Sequence, residues 1–194
     1  RRCNELENPP RLSIVTNFAV IVPKVMKLLT EYRGYIIFNC SIDGLYEQYD
    51  WIRGSSFKQT IGNMDRYYEA SGLKSNVSLS PTLYSIFNFR EAVEFFNAKY
   101  CVQKFSINHV TDPKYTSFGM LDKETLEPLL ASYESLRSNF KPLTNIDHVL
   151  DREPFSEKHR KQNMPYVKQW ITFMNMKRGF KIEDHVPELK AFMK

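Results

Sequence analysis

Cysteine is scarce in this sequence and is not arranged for crosslinking. The 194 residues contain three cysteines, Cys3, Cys40 and Cys101, which are widely spaced and form no CxxC pair. An odd number at such spacing argues against a disulfide framework and against a closed zinc site. We therefore expect a reducing, cytoplasmic setting and interpret Cys40 and Cys101 as small buried side chains.

Long apolar runs are also missing. The longest, at 18–23 and 35–38, are far shorter than the roughly 20 residues that cross a bilayer, so no membrane partner is predicted. The sequence starts with Arg1 and has no charged-then-apolar leader. We expect a chain that is either processed or cut from a longer one.

Several common catalytic motifs are lacking. There is no GxGxxG, GxxxxGK[ST], HExxH or GxSxG, so dinucleotide, Walker-type, zinc-protease and serine-hydrolase sites are not supported. The four histidines are far apart. His109 is the strongest single candidate because it ends a predicted strand, but we assign no catalytic or metal-binding residue.

The composition is that of a folded protein with a modest basic excess. Hydrophobic residues make up 42% and charged residues 25%, with a net charge of +5. The excess is concentrated near the C-terminus, at Lys158, His159, Arg160, Lys161, Lys168, Lys177, Arg178 and Lys181. This cluster is either a solvated helix face or a phosphate-contacting patch, so a nucleic-acid partner stays open although stacked aromatics are missing.

Strands and helices alternate over the first 120 residues. Strands are predicted at 11–16, 35–41, 76–80 and 102–108 from their β-branched and aromatic content. Helices are predicted from Pro23 to the stop at Gly34, over 56–70, and from about Asn88 to Tyr100, with Val25, Leu28 and Tyr100 among the inward-facing positions. Such alternation is typical of βαβ units, so the fold class is α/β with parallel strands.

Strand patterns stop after about residue 121. A helix that contains Pro128 is followed by a polar linker at 137–161 and by a last helix that begins at Pro165. We divide the chain into 1–120, the strand-containing part, and 121–194, a mainly helical C-terminal extension.

Small polar residues follow each predicted strand. Because ligands bind at the carboxyl ends of parallel strands, these residues are candidates for a binding rim, which a polar nucleoside or amino-acid ligand requires. The alternative is that they only begin turns and cap helices. They are Thr16, Asn17, Ser41, Asp43, Ser80, Thr82 and Asn108.

Arg53 lies about ten residues after the Asp43 strand end, just ahead of a predicted helix. Its guanidinium is a candidate for binding a carboxylate in a bidentate contact. The alternative is a surface ion pair with Asp50 or Glu47.

Five segments and their order resemble the radical SAM superfamily, and within it twitch-domain-containing radical SAM proteins. The strand at 12–17, LSIVTN, is similar to the family's "TNG" strand with Phe18 in place of glycine, and 38–44, FNCSIDG, is similar to its "SIDG" strand. The segment 49–53, YDWIR, with Phe57 is similar to the "R…F" element that follows. SLSPTLYSIFN at 78–88 resembles the "SPTVSxxN" segment, and 177–189 resembles the terminal "RGxxFxDxxPEL" pattern.

The resemblance implies the second half of a (β/α)6 partial TIM-type barrel that binds S-adenosylmethionine. Ser41 and Arg53 would contact the amino-acid or ribose portion of the cofactor, with Arg53 pairing with the methionyl carboxylate. Asp43 would orient the loop, and Thr16, Asn17, Ser80, Thr82 and Asn108 would line the cavity. The parent reaction would be hydrogen abstraction by a 5′-deoxyadenosyl radical from an unknown substrate, a peptide or a small molecule.

The sequence departs from the family at the feature that its chemistry requires. The CxxxCxxC loop that holds the [4Fe–4S] cluster is missing, so the cluster would belong to the full-length protein only. We expect the chain alone to be inactive and the 11–16 strand to have an unpaired edge. The alternative is a cluster-free basic binding or scaffold module that pairs with another chain or with nucleic acid.

Overall fold

The computed structural model describes residues 11–108, 110–137 and 143–193, without the side chains of 143 and 144. Strands and helices alternate along most of this length. The strands are β1 (Leu12–Thr16), β2 (Ile36–Ile42), β3 (Ser75–Leu79), β4 (Val102–Ile107) and β5 (Leu143–Thr144). The helices are α1 (Pro23–Glu31), α2 (Tyr46–Arg53), α3 (Phe57–Ser71), α4 (Phe89–Ala98), α5 (Lys123–Ser132), α6 (Asp147–Leu150), α7 (Glu157–Arg178) and α8 (Lys190–Met193).

The five strands form one parallel sheet in the sequential order β1-β2-β3-β4-β5. The predicted α/β class with parallel strands is therefore confirmed, as is a helical C-terminal region. β1 pairs with β2 on one side, and no strand within the described ranges pairs with its other side, as expected. Crossovers between parallel strands are almost always right-handed, so a sequential order places their helices on the same face of the sheet.

The two faces of the sheet differ sharply in polarity. Phe38, Cys40, Val77, Phe105 and their neighbours are buried on one face, where α3 packs with the Tyr67 ring centroid 4.5 Å from that of Phe38. Since side chains alternate along a strand, the residues between these apolar positions lie on the other face. That second face carries serine and asparagine instead, and the candidate site lies there.

Helix ends follow the signals in the sequence. Pro23 is the first residue of α1, where its missing N–H has no helical partner to lose. The Ser56 hydroxyl accepts a hydrogen bond from the N–H of Gln59 and caps α3, which ends at Gly72 with φ 71°. α1, however, ends at Glu31, and Gly34 lies in a short 3-10 turn at Arg33–Tyr35, so the predicted stop was placed too late.

Three predicted core positions are exposed. Val25 is 47% exposed and Leu28 is 48% exposed, while their neighbour Leu29 is buried. α1 lies beside the edge strand β1, so only the side of the helix that carries Leu29 packs against the core. Tyr100 is also exposed and packs edge-on against Tyr68, with ring centroids 5.1 Å apart.

The structure corrects the sequence-based prediction in two further places. The helix α2 was not predicted. Arg53 is its last residue and also precedes α3. α7 begins at Glu157, within the predicted polar linker, and contains Pro165 in its interior. The Ser156 hydroxyl accepts a hydrogen bond from the N–H of His159 and caps α7 there, so the capping residue sets the start and not the proline. No helix of the described ranges is long and apolar enough to span a membrane.

Asp122 caps α5 and gives a pH-dependent prediction. Its Oδ1 accepts a hydrogen bond from the N–H of Thr125 at 2.8 Å. Hydrogen bonding to the Thr125 side chain, and to a smaller extent to this N–H, holds the pKa of Asp122 below its ordinary value. A carboxyl with a lowered pKa in the folded state contributes stability that is present above its unfolded pKa and lost as the pH falls through the folded value.

We expect Asp122→Ala to lower the free energy of unfolding by about 1 kcal/mol at neutral pH. The difference from wild type should shrink as the pH falls below the ordinary aspartate range. Urea unfolding at several pH values measures this. Asp122→Asn, which keeps the cap without a charge, serves as the control and should show little pH dependence; a constant deficit for Asp122→Ala would contradict the assignment.

Candidate functional site

The polar face of the sheet carries two groups of hydrogen-bonded amides and hydroxyls. The Asn39 Nδ2 donates to the Ser13 Oγ at 2.9 Å, and the Asn76 Nδ2 donates to the Asn39 Oδ1 at 3.1 Å. Toward the carboxyl edge, the Asn108 Nδ2 donates to the Ser78 Oγ at 2.6 Å. These bonds link four adjacent strands and fix the orientation of each amide.

Two acceptor oxygens of this face remain unused. The Asn76 Oδ1 and the Asp43 Oδ1 are buried and have no hydrogen-bond partner among the residues that the structure describes. A buried acceptor without a partner costs about 1–3 kcal/mol, so such groups indicate a place where a ligand or water supplies donors. Both oxygens belong to the polar face or to the loop that extends it.

Arg53 joins the site from the end of α2. Its Nη2 donates to the Ser41 Oγ at 2.7 Å, and its Nε forms an ion pair with the Asp43 Oδ2. The side chains of Asp43 and Arg53 are 11% and 30% exposed. Gly54 ends α2 with φ 70°, a conformation that turns the chain back after Arg53 and that glycine adopts without strain.

The ion-pair partner of Arg53 is neither of the two residues considered in the sequence analysis. Asp50 instead accepts a hydrogen bond from the N–H of Phe57 at the start of α3. Glu47 has no ion pair with Arg53. Arg53 is therefore held by the strand-end residue Asp43, and its guanidinium lies over the carboxyl edge of β2.

Burial raises the pKa of Asp43 above the ordinary value, while the Arg53 guanidinium and the Ser80 hydroxyl oppose the rise. Desolvation is the larger effect, because the carboxylate is removed from water and only one of its oxygens faces Arg53. Ser41, Asp43, Arg53 and Ser80 thus form one cluster at the carboxyl ends of β2 and β3, which we call the Arg53 cluster.

The other predicted site residues occupy different environments. Thr16 pairs in register with Cys40, which places it on the apolar face, and its Oγ1 accepts the N–H of Phe18. The Asn17 Oδ1 accepts the N–H of Ala19. The Thr82 hydroxyl lies 3.2 Å from the Ser85 Oγ. These three form local turns, while Asn108 belongs to the network of the polar face.

Sequence reasoning missed the polar residues inside the strands. Asn39, Asn76, Ser78 and Ser106 line the polar face one or three positions before the last residue of their strands. The signal was present as alternation, since each of these residues is followed by a buried apolar one. The strands were predicted from their β-branched and aromatic content, and the polar positions between those residues were not considered.

Thiols and histidines contribute no metal site within the described ranges. Cys40 and Cys101 are buried and free, and burial raises the pKa of Cys101 to about 11 and also raises that of Cys40. No group of three or more His, Cys, Asp or Glu side chains there is placed to hold a metal ion. Cys3 and His109 lie outside the described residues.

The C-terminal basic cluster is partly used inside the protein. The Arg160 Nη1 donates to the Leu121 carbonyl, and the Arg178 Nε donates to the Trp51 carbonyl. Lys161 pairs with Glu157 across one turn of α7. These contacts favour the interpretation as a helix face over a phosphate-contacting patch.

The sequence matches no model of a protein family, and no curated protein is similar to it at a significant level.

Proposed function

We propose that this chain is the C-terminal part of a radical S-adenosylmethionine enzyme and that the polar face and the Arg53 cluster hold the cofactor. The observation that carries the proposal is the Arg53 cluster at the carboxyl edge of a singly wound parallel sheet. That edge is where ligands bind in barrels and open α/β sheets. The resemblance of the five sequence segments supports the identity of the ligand.

The groups of the site fit the two polar ends of this cofactor. A guanidinium has five N–H donors, and Arg53 contacts Asp43 through Nε and Ser41 through Nη2. In the proposal, Nη1 binds the methionyl carboxylate. The unused Asn76 Oδ1 would accept a hydrogen bond from a ribose hydroxyl. Asp43 would orient Arg53 and does not contact the cofactor in this arrangement.

An iron–sulfur cluster does not fit the residues of this chain. The two described cysteines are buried, and their raised pKa values disfavour the thiolate form that binds iron. The cluster ligands would therefore lie outside this sequence, which contains no CxxxCxxC. In the parent enzyme a reduced cluster held by those ligands would supply one electron for the cleavage of S-adenosylmethionine to methionine and a 5′-deoxyadenosyl radical. The proposal places this chemistry in the cytoplasm.

The open edge of the sheet supports a partial barrel that continues beyond β1. Leu12 and Val15 on this strand are 57% and 71% exposed, and Val20, Val22, Val25 and Leu28 nearby are also exposed. An unpaired strand edge with adjacent apolar side chains is the surface to which a further strand adds. In the proposal, the preceding strands of the (β/α)6 barrel cover it.

The same edge also favours the second candidate function. A cluster-free module would use β1 to pair with another chain, and its polar face would then serve binding without catalysis. The internal contacts of Arg160 and Arg178 leave nucleic acid with less support than a protein partner.

The coding sequence upstream of Arg1 separates the two candidates. The expected result is a reading frame that continues into a CxxxCxxC loop, whose anaerobically purified product forms 5′-deoxyadenosine from S-adenosylmethionine when reduced. A variant with the first cysteine of that loop replaced by alanine is the matched control and should form none. A start codon at or near Arg1, with a chain that folds as a monomer, would reject the proposal.

A further inference from the structure

A cavity of about 210 Å³ adjoins the Arg53 cluster and is lined by the loops that follow three consecutive strands. Asp43 comes from the loop after β2, Thr82 from the loop after β3, and Asp112 from the loop after β4. Trp170 and Met174 of α7 form the opposite wall. The cavity therefore lies at the edge of the sheet where the loops converge.

A larger groove elsewhere lacks this relation to the sheet. It has a volume of about 820 Å³ and is lined by α3 residues with Tyr46 and Phe95. None of its described lining residues belongs to the Arg53 cluster. The smaller cavity is the better candidate because it shares Asp43 with the site proposed above.

The hydrogen-bond donors of the buried cavity wall are already used. The Trp51 Nε1 donates to the Asn175 Oδ1 at 2.9 Å, and the Tyr84 hydroxyl donates to the Tyr115 carbonyl at 2.9 Å. The Thr116 hydroxyl donates to the Pro113 carbonyl. A ligand in this cavity would thus find few donors from the protein.

The acceptors, by contrast, are carboxylates with unused oxygens, although Arg53 already pairs with the Asp43 Oδ2. Asp43 has its buried Oδ1 without a partner in the described part of the chain, and the exposed Asp112 has no ion pair there. No lysine, arginine or histidine is among the described residues that line the cavity. The cavity therefore offers carboxylate acceptors but few donors, and it favours a ligand group that donates hydrogen bonds and carries positive charge.

Aromatic rings complete the wall. Trp51 and Tyr84 are buried, with ring centroids 5.1 Å apart, and Trp170 is half-buried on α7. Aromatic faces attract a cation through their negative π-surface. Carboxylates together with aromatic walls are the combination that recognises an organic ammonium group.

We propose that this cavity binds the alkylammonium end of the substrate. A volume of about 210 Å³ is below the usual range of about 300–1,000 Å³ for a whole ligand, so it accommodates one side chain or chain end. The group has two sources, a lysine side chain of a peptide or a free polyamine. The claim that the ammonium group belongs to the substrate rests on the function proposed above. The claim that the cavity binds an ammonium group does not depend on that function.

The test uses n-butylammonium as the probe and n-butanol as its neutral counterpart. Both tryptophans of the chain, Trp51 and Trp170, line the cavity, so their indole N–H signals in ¹⁵N-resolved NMR spectra report binding there. We expect saturable shifts of both signals with butylammonium and at least fivefold weaker binding of butanol. Equal binding of the two probes, or no saturable shift, would overturn the inference.

Substitutions distinguish the contribution of carboxylate charge to butylammonium binding from that of the aromatic wall. Asp112→Asn should weaken butylammonium binding about threefold, in the range of a partly exposed ion pair, and Trp170→Leu about fivefold, with Trp170→Phe restoring part of the loss. Asp184→Asn, an exposed carboxyl outside the cavity, is the matched control and should have no effect. Equal affinity in Asp112→Asn, Trp170→Leu and wild type would overturn the assignment.

Two further experiments identify the source of the ammonium group and test whether its binding is independent of the cofactor. Tighter binding of N-acetyl-lysine methylamide supports a peptide substrate, and tighter binding of spermidine supports a free polyamine. Butylammonium should still bind when S-adenosylmethionine is saturating; competition between them would overturn the substrate assignment. Because the amine titration needs no cofactor, its failure is distinguishable from a failure to bind S-adenosylmethionine.

Discussion

Arg53→Ala should lower the free energy of unfolding by about 2 kcal/mol at neutral pH, since it leaves a buried carboxylate without its counterion. Asp43 is the more buried partner, with 11% of its side chain exposed against 30% for Arg53. Its Oδ1 has no partner among the described residues even in the wild type. Chemical denaturation followed by circular dichroism measures the loss.

The pH dependence of this loss identifies Asp43 as its cause. Burial already holds the pKa of Asp43 above its ordinary value, and Arg53 opposes that rise, so the pKa rises further in Arg53→Ala. A carboxyl with a raised folded pKa binds its proton more tightly in the folded state, and stability falls as the pH rises from the unfolded pKa through the folded one. The deficit of Arg53→Ala should therefore be small in acid and reach its full size near neutral pH.

The matched control for Arg53→Ala removes both charges. We expect Arg53→Ala with Asp43→Asn to be more stable at neutral pH than Arg53→Ala alone and to lack the added pH dependence. Asp43→Asn alone should cost less than Arg53→Ala, because the exposed part of the Arg53 guanidinium can be solvated. A deficit in Arg53→Ala that does not change with pH would show that Asp43 is not the group left unpaired.

Asn175→Ala is the second substitution with a large expected effect, about 2–3 kcal/mol in the free energy of unfolding. The Asn175 Oδ1 accepts from the Trp51 Nε1 at 2.9 Å and from the N–H of Ile182 at 3.0 Å. Its Nδ2 donates to the Glu183 Oε2 at 2.9 Å. Truncation leaves the buried Trp51 indole N–H without an acceptor.

Asn163→Ala provides the matched control on the same helix. The Asn163 Nδ2 donates to the His159 carbonyl within α7 and contacts no other element by hydrogen bonding in the described structure, so its loss should cost less than about 1 kcal/mol. Thermal unfolding and the Trp51 indole N–H signal are the two measurements. Equal destabilisation by both substitutions would contradict the proposed role of Asn175.

Asn175 matters for the site because it fixes α2, the helix that carries Arg53. Arg178, one turn later in α7, donates from its Nε to the Trp51 carbonyl at 2.9 Å. The mainly helical C-terminal region is thus attached to the segment that positions the Arg53 guanidinium. Asn175→Ala should broaden NMR signals from the end of α2 as well as lower stability.

The sheet was largely predictable from the sequence, since its strands are short apolar segments between helix signals. Phe38, Cys40 and Val77 are buried as such patterns indicate. α2 was missed because YEQYDWIR has no simple stripe of apolar residues, and it is fixed by the contacts of Trp51 with Asn175 and Arg178. Contacts across 124 residues of sequence leave no local signal.

The site was predictable in part. Strand-end position predicted Ser41, Asp43 and Ser80, and Arg53 was predicted from its place about ten residues after the Asp43 strand end; the bond between Arg53 and Ser41 joins two of these residues. The partner of Arg53 could not be chosen from sequence, because Asp43, Glu47 and Asp50 are all within ten residues of it. In the structure the Asp50 carboxylate accepts the N–H of Phe57, and Asp43 forms the ion pair.

The affinity for S-adenosylmethionine, measured by isothermal titration calorimetry on the full-length parent protein reconstituted with its cluster, tests the central claim most directly. We expect saturable binding at one site, about tenfold weaker in Arg53→Ala and more weakly reduced in Ser41→Ala, with Ser132→Ala, a remote exposed hydroxyl, as the unchanged control. Unchanged affinity in Arg53→Ala and Ser41→Ala would contradict the placement of the cofactor at the Arg53 cluster.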